Sequence, residues 1–199
     1  AFTTFFVIID PPGLVAIFLA VTAGMTSVER RKVALRGSVT GIAIILAFMF
    51  IGGPLLATLG ISLSAFRVAG GLLLFYTAFE MVFEKREERK GEAAEKTISE
   101  HDLRSIAVFP LAVPLIAGPG SISVAILLGE DFQWPFDRVI LIAILLAVGI
   151  ILYLFLLAAD RLNTYIGDTG RIIMTRLMGI LLAALSVQFI ADGIKTMMS

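Results

Sequence analysis

From Val139 to Ala159 the chain runs for 21 residues without a charge. As an α-helix this run is about 31 Å long, the thickness of a bilayer's hydrocarbon core. A soluble domain rarely needs a helix that is apolar on every side. The rest of the chain agrees with a membrane solvent. Its mean hydropathy is +0.97, 58% of its residues are hydrophobic, and the 16% that are charged are confined to a few segments. Six spans follow from this pattern: 2–23, 37–59, 67–83, 106–128, 139–159 and 176–194. The expected fold is an all-α membrane protein.

Two of these spans are interrupted. Ile9-Asp10-Pro11-Pro12-Gly13 breaks the first and Ile116-Ala117-Gly118-Pro119-Gly120 breaks the fourth. Proline removes a backbone donor and clashes with the preceding turn, and glycine is the weakest ordinary helix former. Lipid cannot satisfy the polar groups freed by such a break, so each must face protein or a water-filled cavity. The first and fourth helices are therefore expected to be discontinuous. Paired interruptions in two halves of a chain point to a transporter's substrate site.

The halves match at a second landmark. Arg67-Val68-Ala69-Gly70-Gly71-Leu72-Leu73 aligns with Arg176-Leu177-Met178-Gly179-Ile180-Leu181-Leu182 at an offset of 109, and Pro12-Gly13 aligns with Pro119-Gly120 at 107. Each half holds three spans, an odd number, so the second enters the membrane from the opposite side. The expected organisation is an inverted-topology repeat. Residues 1–83 form one three-helix unit, 84–105 a linker and 106–199 the other unit. The linker carries 13 charges of both signs and suits a solvated cytoplasmic segment. Its His101, the only histidine, has no evident set of metal-binding partners and reads as solvated.

Charge sets the orientation. The 24–36, 84–105 and 160–176 segments hold 13 of the 16 basic residues, which places them in the cytoplasm and both termini outside. Trp134 and Phe136 suit the outer interface. No basic region precedes the first apolar run, which argues against a cleavable signal peptide. A start at Ala1 rather than Met is expected of a chain that has lost its first residues. Cysteine is absent, ruling out disulfides and thiolate metal sites. Zero net charge, with basic residues in loops, argues against nucleic acid as a partner. No metal or cofactor motif is present.

Each break makes a new helix end, near Ile8–Ile9 and Ile116–Ala117, and a new helix start, expected from Leu14 and from Ser121. Ends offer carbonyls and starts offer N–H groups, with partial charges to match. A pocket where both breaks meet at the midplane suits a zwitterion: N–H groups for its carboxylate, carbonyls for its ammonium. The candidate substrate site is Asp10, Pro11, Pro12 and Gly13 with Ala117, Gly118, Pro119, Gly120 and Ser121. Asp10 can carry a proton, its pKa raised by desolvation, or cap the restarted helix as a carboxylate. Ser121 can cap its own helix or turn toward ligand. Arg67 and Arg176 read as interfacial anchors, and Ser186 and Gln188 as interhelical hydrogen-bonding groups.

These residues resemble the MarC family of six-span membrane proteins, including its SnatA-type neutral amino acid transporters. The resemblance rests on 9–13 and Phe66–Gly71, then on Pro114–Ser121, Arg176–Gly179 and Val187-Gln188-Phe189-Ile190-Ala191-Asp192-Gly193. It implies a LysE-like inverted-repeat fold in the cytoplasmic (inner) membrane. It also implies transport of glycine, alanine and similar small neutral amino acids, coupled to protons. Where the family often continues Asp-Pro-x-Gly with Asn, this chain has Leu14, which takes a polar side chain out of the break. Two other classes stand beside the transporter. One is an intramembrane aspartyl enzyme using Asp10 and Asp192, although these two do not occupy matching positions in the halves. The other is a channel for a small solute.

Overall fold

The computed structural model describes residues 1–83, 107–132 and 134–198. The expected linker, with His101, lies outside the described residues, as does Ile106. Within them the chain is all helix, without strands. In order come α1 (Phe2–Ile9), α2 (Pro11–Val21), α3 (Ser27–Thr58) and α4 (Leu63–Val82). A π-helical segment (Ala107–Ile116) then leads to α5 (Pro119–Asp131), α6 (Pro135–Leu157) and α7 (Ala159–Met198).

Among the described residues, five stretches are long and apolar enough to cross a membrane: Phe2–Val21, Ser27–Thr58, Leu63–Val82, Pro135–Leu157 and Thr169–Met198. The fourth expected span is not among them, because it is divided between the π-helical segment and the 13-residue α5. The outward faces carry large apolar side chains. On α4, Leu72, Phe75, Tyr76 and Phe79 are all exposed, while Gly70, Gly71, Leu74, Ala78 and Met81 are buried. A surface of that kind is stable only against lipid or another protein.

Two helices overrun their expected limits. The 24–36 segment, expected as a loop, is mostly the beginning of α3. Thr26 and Glu29 form a capping box that starts the helix at Ser27, so Arg30, Arg31, Lys32 and Arg36 ride on its first turns. The 160–176 segment is likewise helical within α7. Gly167 interrupts it at φ 64°, ψ 174°, a conformation open essentially to glycine alone.

α4 and α7 form the most extensive helix pair. A Cβ on Gly71 would lie 2.6 Å from Ile190 Cγ1 and 3.0 Å from the Ser186 carbonyl. Gly193 abuts Val68 and the Ser64 carbonyl, and Gly179 abuts Met81 and the Ala78 carbonyl. Partner numbers fall along α7 as they rise along α4, so the pair is antiparallel. Small residues let the two backbones approach, the usual means of helix association in lipid. Among the described residues, Ser186 and Gln188 make no side-chain hydrogen bond across this interface. Ser186 Oγ donates to the Ala183 carbonyl at 2.7 Å and Gln188 Nε2 to Asp192 Oδ1 at 2.8 Å, both within α7. The interhelical role expected of them is corrected on that ground. Backbone packing through glycine makes the contact instead.

Around this pair, α1 and α2 pack on both α6 and α7. In the same way α5 packs on both α3 and α4, and the π-helical segment on α3. α3 also meets α6, and α1 meets α5.

Candidate functional site

The first break is one residue wide. Asp10 sits in the left-handed region at φ 57°, ψ 64°, between the end of α1 and the start of α2. Its N–H donates to the Phe6 carbonyl at 3.0 Å, closing α1. Its own carbonyl accepts from Leu14 N–H at 3.1 Å, and its carboxylate accepts from Gly13 N–H at 3.2 Å. One residue thus ends one helix and caps the next. Aspartate tolerates the left-handed region better than most side chains because it can bond locally. Gly13 leaves room for this cap: a Cβ there would fall 2.2 Å from Asp10 Oδ2 and displace the carboxylate.

α2 starts at Pro11, three residues earlier than expected, and α5 starts at Pro119, two earlier. The prolines open these helices rather than delay them. Their φ is preset for the first turn, and the N–H they lack has no helical partner there.

The second break is built differently. Two prolines, Pro110 and Pro114, precede it, and the chain before it winds as a π-helix in which Ala117 N–H reaches back to the Ala112 carbonyl at 2.8 Å. Gly118 is the N-cap of α5 and brings no side-chain acceptor. Ser121, expected as a possible cap, lies inside the first turn and is buried. The cap therefore falls to a residue with nothing to cap with. The N–H groups of Gly120 and Ser121 have no partner inside their own helix.

The two breaks approach each other. A Cβ on Gly120 would stand 2.7 Å from Ile8 Cδ1 and 3.4 Å from a Leu74 methyl. Ile8 is two residues before Asp10, so the start of α5 rests on the end of α1. Asp10, Pro11, Pro12, Gly13, Ala117, Gly120 and Ser121 are buried, Gly118 is half-buried and Pro119 is exposed. The space beside Pro12 is slight. Pro12, Val15, Phe155, Leu162, Asn163, Gly167 and Arg171 enclose about 10 Å³, near the minimum for one water. Arg171 Nη1 donates to Asn163 Oδ1 at 3.3 Å across this point.

Other polar groups take different positions. Arg67 pairs with Asp131 and so ties the start of α4 to the end of α5. Asp192, proposed above as a partner for Asp10 in an aspartyl enzyme, is half-buried and bonded to Gln188, whereas Asp10 is 2% exposed. Glu80, buried inside α4, is the intramembrane acid that sequence reasoning passed over. The signal was available, since an acid within an apolar span is a functional candidate by default.

A sequence profile of MarC family integral membrane proteins matches residues 1–198. The chain belongs to the MarC family. It is similar to the UPF0056 membrane protein MJ1677 of Methanocaldococcus jannaschii, 40% identical over 98% of this chain and 94% of that protein. It is also similar to a UPF0056 membrane protein of Archaeoglobus fulgidus, 35% identical over 98% of this chain and 90% of that one. The UPF0056 membrane protein YhcE of Escherichia coli stands at 35%, over the same shares of the two chains. No solved structure matches. This MarC chain is thus an integral, multi-pass membrane protein, and both of its breaks lie within the matched region.

Proposed function

We propose that this chain is a secondary transporter of small neutral amino acids of the glycine and alanine class, rather than an enzyme. It would work in the cytoplasmic membrane with both termini outside. The observation that carries the reading is the contact of Gly120 with Ile8, which puts a helix start with uncapped N–H groups against the other break. The substrate carboxylate would meet the N–H groups of Gly120 and Ser121. Its ammonium would meet the carbonyls at the end of α1 and the Asp10 carboxylate, with Pro11–Gly13 and Ala117–Pro119 shaping the walls. A glycine facing the ligand lets a small substrate reach the backbone.

The packing supports an inverted repeat of six spans, with the first and fourth discontinuous. Exchange α1–α2 for the π-helical segment with α5, α3 for α6, and α4 for α7. The principal helix contacts map onto one another under that exchange. The antiparallel α4–α7 contact maps onto itself, as an interface on a pseudo-two-fold axis must. Gly60 and Gly167, both at positive φ, also stand 107 residues apart, the offset of the two Pro-Gly pairs.

In this reading the structure corresponds to a closed state, because the space beside Pro12 admits no amino acid. Access requires the helical turn before Gly167 to move off Pro12. Proton coupling falls to Asp10. Protonation would weaken its bond to Gly13 N–H and loosen the start of α2. Calorimetry on the purified protein tests the core of the proposal. Glycine or alanine should bind, and Gly120→Leu should abolish the signal; no heat with any small neutral amino acid would sink the reading. Counterflow in liposomes separates carrier from channel, since only a carrier shows trans-stimulation. Asp10→Asn should keep counterflow while losing stimulation by a pH gradient.

A further inference from the structure

A groove on the lipid-facing side of the molecule lies between α3 and α6, on the far side of α3 from the π-helical segment. Small residues dig it. Gly149 lets Ile42 close to where its Cβ would be, at 2.8 Å, and Ser38 and Ala43 keep the α3 side low. Leu35, Leu46, Leu146 and Tyr153 wall a space of about 290 Å³. The lining is apolar apart from the hydroxyls of Ser38 and Tyr153. Ser38 is 4% exposed, and its Oγ has no hydrogen-bond partner among the described residues. An unpaired hydroxyl in a membrane-embedded site calls for an acceptor brought by whatever fills the site.

The groove has a charged end. Positions 31, 32, 35, 39, 42 and 46 share one face of α3 at helical spacing. Arg31 and Lys32, both exposed, therefore stand one turn before Leu35 on the stripe that floors the groove. Arg31 also lines a small hollow with Leu157, one turn beyond Tyr153 on α6, and with Asp160 at the start of α7. Asp160 does not cancel it, because that carboxylate is held by Arg30 at 2.8 Å.

We propose that this groove is a binding site for an anionic phospholipid. One acyl chain lies along Val39–Leu46 and Leu146–Tyr153, and the phosphate meets Arg31 and Lys32. Ser38 sits about 10 Å along the helix axis from Arg31. A lipid with its phosphate at Arg31 carries its ester carbonyls down toward that hydroxyl, which then donates to one of them. The basic end selects charge, and the groove selects a chain.

The test uses the full chain in nanodiscs of three parts phosphatidylcholine to one part phosphatidylglycerol, with a photoreactive acyl chain on either lipid. After illumination, adducts are mapped by mass spectrometry. Adducts should concentrate on Val39–Leu46 and Leu146–Tyr153 and favour phosphatidylglycerol. Arg31→Gln should cut that preference about fivefold, the discrimination one basic residue supplies near an anionic headgroup. Ala43→Trp, at an exposed position that fills the groove, should remove the adducts for both lipids; Val39→Trp is the second variant should the first fail to fold. Labelling spread evenly over all lipid-facing helices, or equal capture of both lipids, would overturn the proposal. So would groove-to-groove crosslinks between two copies, which would make the site a protein interface.

Discussion

The two breaks share a Pro-Gly restart and differ in what satisfies the N–H groups behind it. At the first, the Asp10 carboxylate folds back onto Gly13 N–H, and Asp10–Gly13 are all buried. At the second, Gly118 caps nothing and Pro119 reaches the surface. Approach differs as well: an ordinary α-helix ends at Asp10, whereas a π-helix delivers the chain to Ala117. A first turn already supplied with a carboxylate gains little from an external one. An uncapped first turn gains a good deal. The pair is therefore symmetric in sequence and asymmetric in chemistry, and in the proposed transporter the second break would be the anion-binding half.

The strongest way to break this comparison is at the contact between the two. Gly120→Leu forces a branched side chain into Ile8 and Leu74, and overpacking of that kind costs about 1–3 kcal/mol. Thermal unfolding in detergent should register that loss together with the loss of amino acid binding. Adding Ile8→Ala should recover much of the stability; a double variant no better than the single one would mean that Gly120 does not meet the first break. Next in size is Gly13→Ala. Its methyl evicts the Asp10 carboxylate, so stability should fall by about 1–2 kcal/mol, the range for a lost cap together with strain. Gly118→Ala, at a cap with an allowed φ of −84° but with its Cβ 2.8 Å from the Pro114 carbonyl, should cost a comparable amount in the same unfolding assay, through a backbone clash and not through a lost cap.

Asp10 itself sharpens the contrast. Asp10→Ala removes the cap and leaves a left-handed alanine, and should destabilise by about 1–2 kcal/mol. Asp10→Asn keeps both the acceptor and the tolerance for positive φ, and should stay within about 0.5 kcal/mol of the parent. Equal losses for the two variants would show that charge, not capping, holds this turn. The smallest effect is expected at Ser121→Ala, within about 0.5 kcal/mol, because Gly118 occupies the cap position. A loss near 1 kcal/mol would return the cap to Ser121.

Helix identity was largely legible because it rests on local signals. Uncharged apolar runs mark the spans, and the ends at Ile9 and Ile116 fall where the Pro-Gly clusters place them. Helix starts were less legible. Pro11 and Pro119 look like breakers, but a proline stops only the helix before it and suits the first position of the next. The extent of α3 was missed for a related reason. Charged first turns read as loop by hydropathy, while Thr26 and Glu29 carried the capping signal three residues apart.

Sequence alone determined the solvent of this protein, the order of its helices and the places where two of them stop. Each of these depends on residues within a few turns of one another. Tertiary structure decided which small residues matter and against what. Gly120 rests on Ile8, Gly71 on Ile190 and Gly149 on Ile42, pairs separated by roughly a hundred residues or more. It also decided that Asp10 turns left-handed to cap its neighbour, while Gly118 leaves the matching turn open. Hydropathy and helix period are local properties of a chain. Close approach is a property of two segments at once, and only their packing together reveals it.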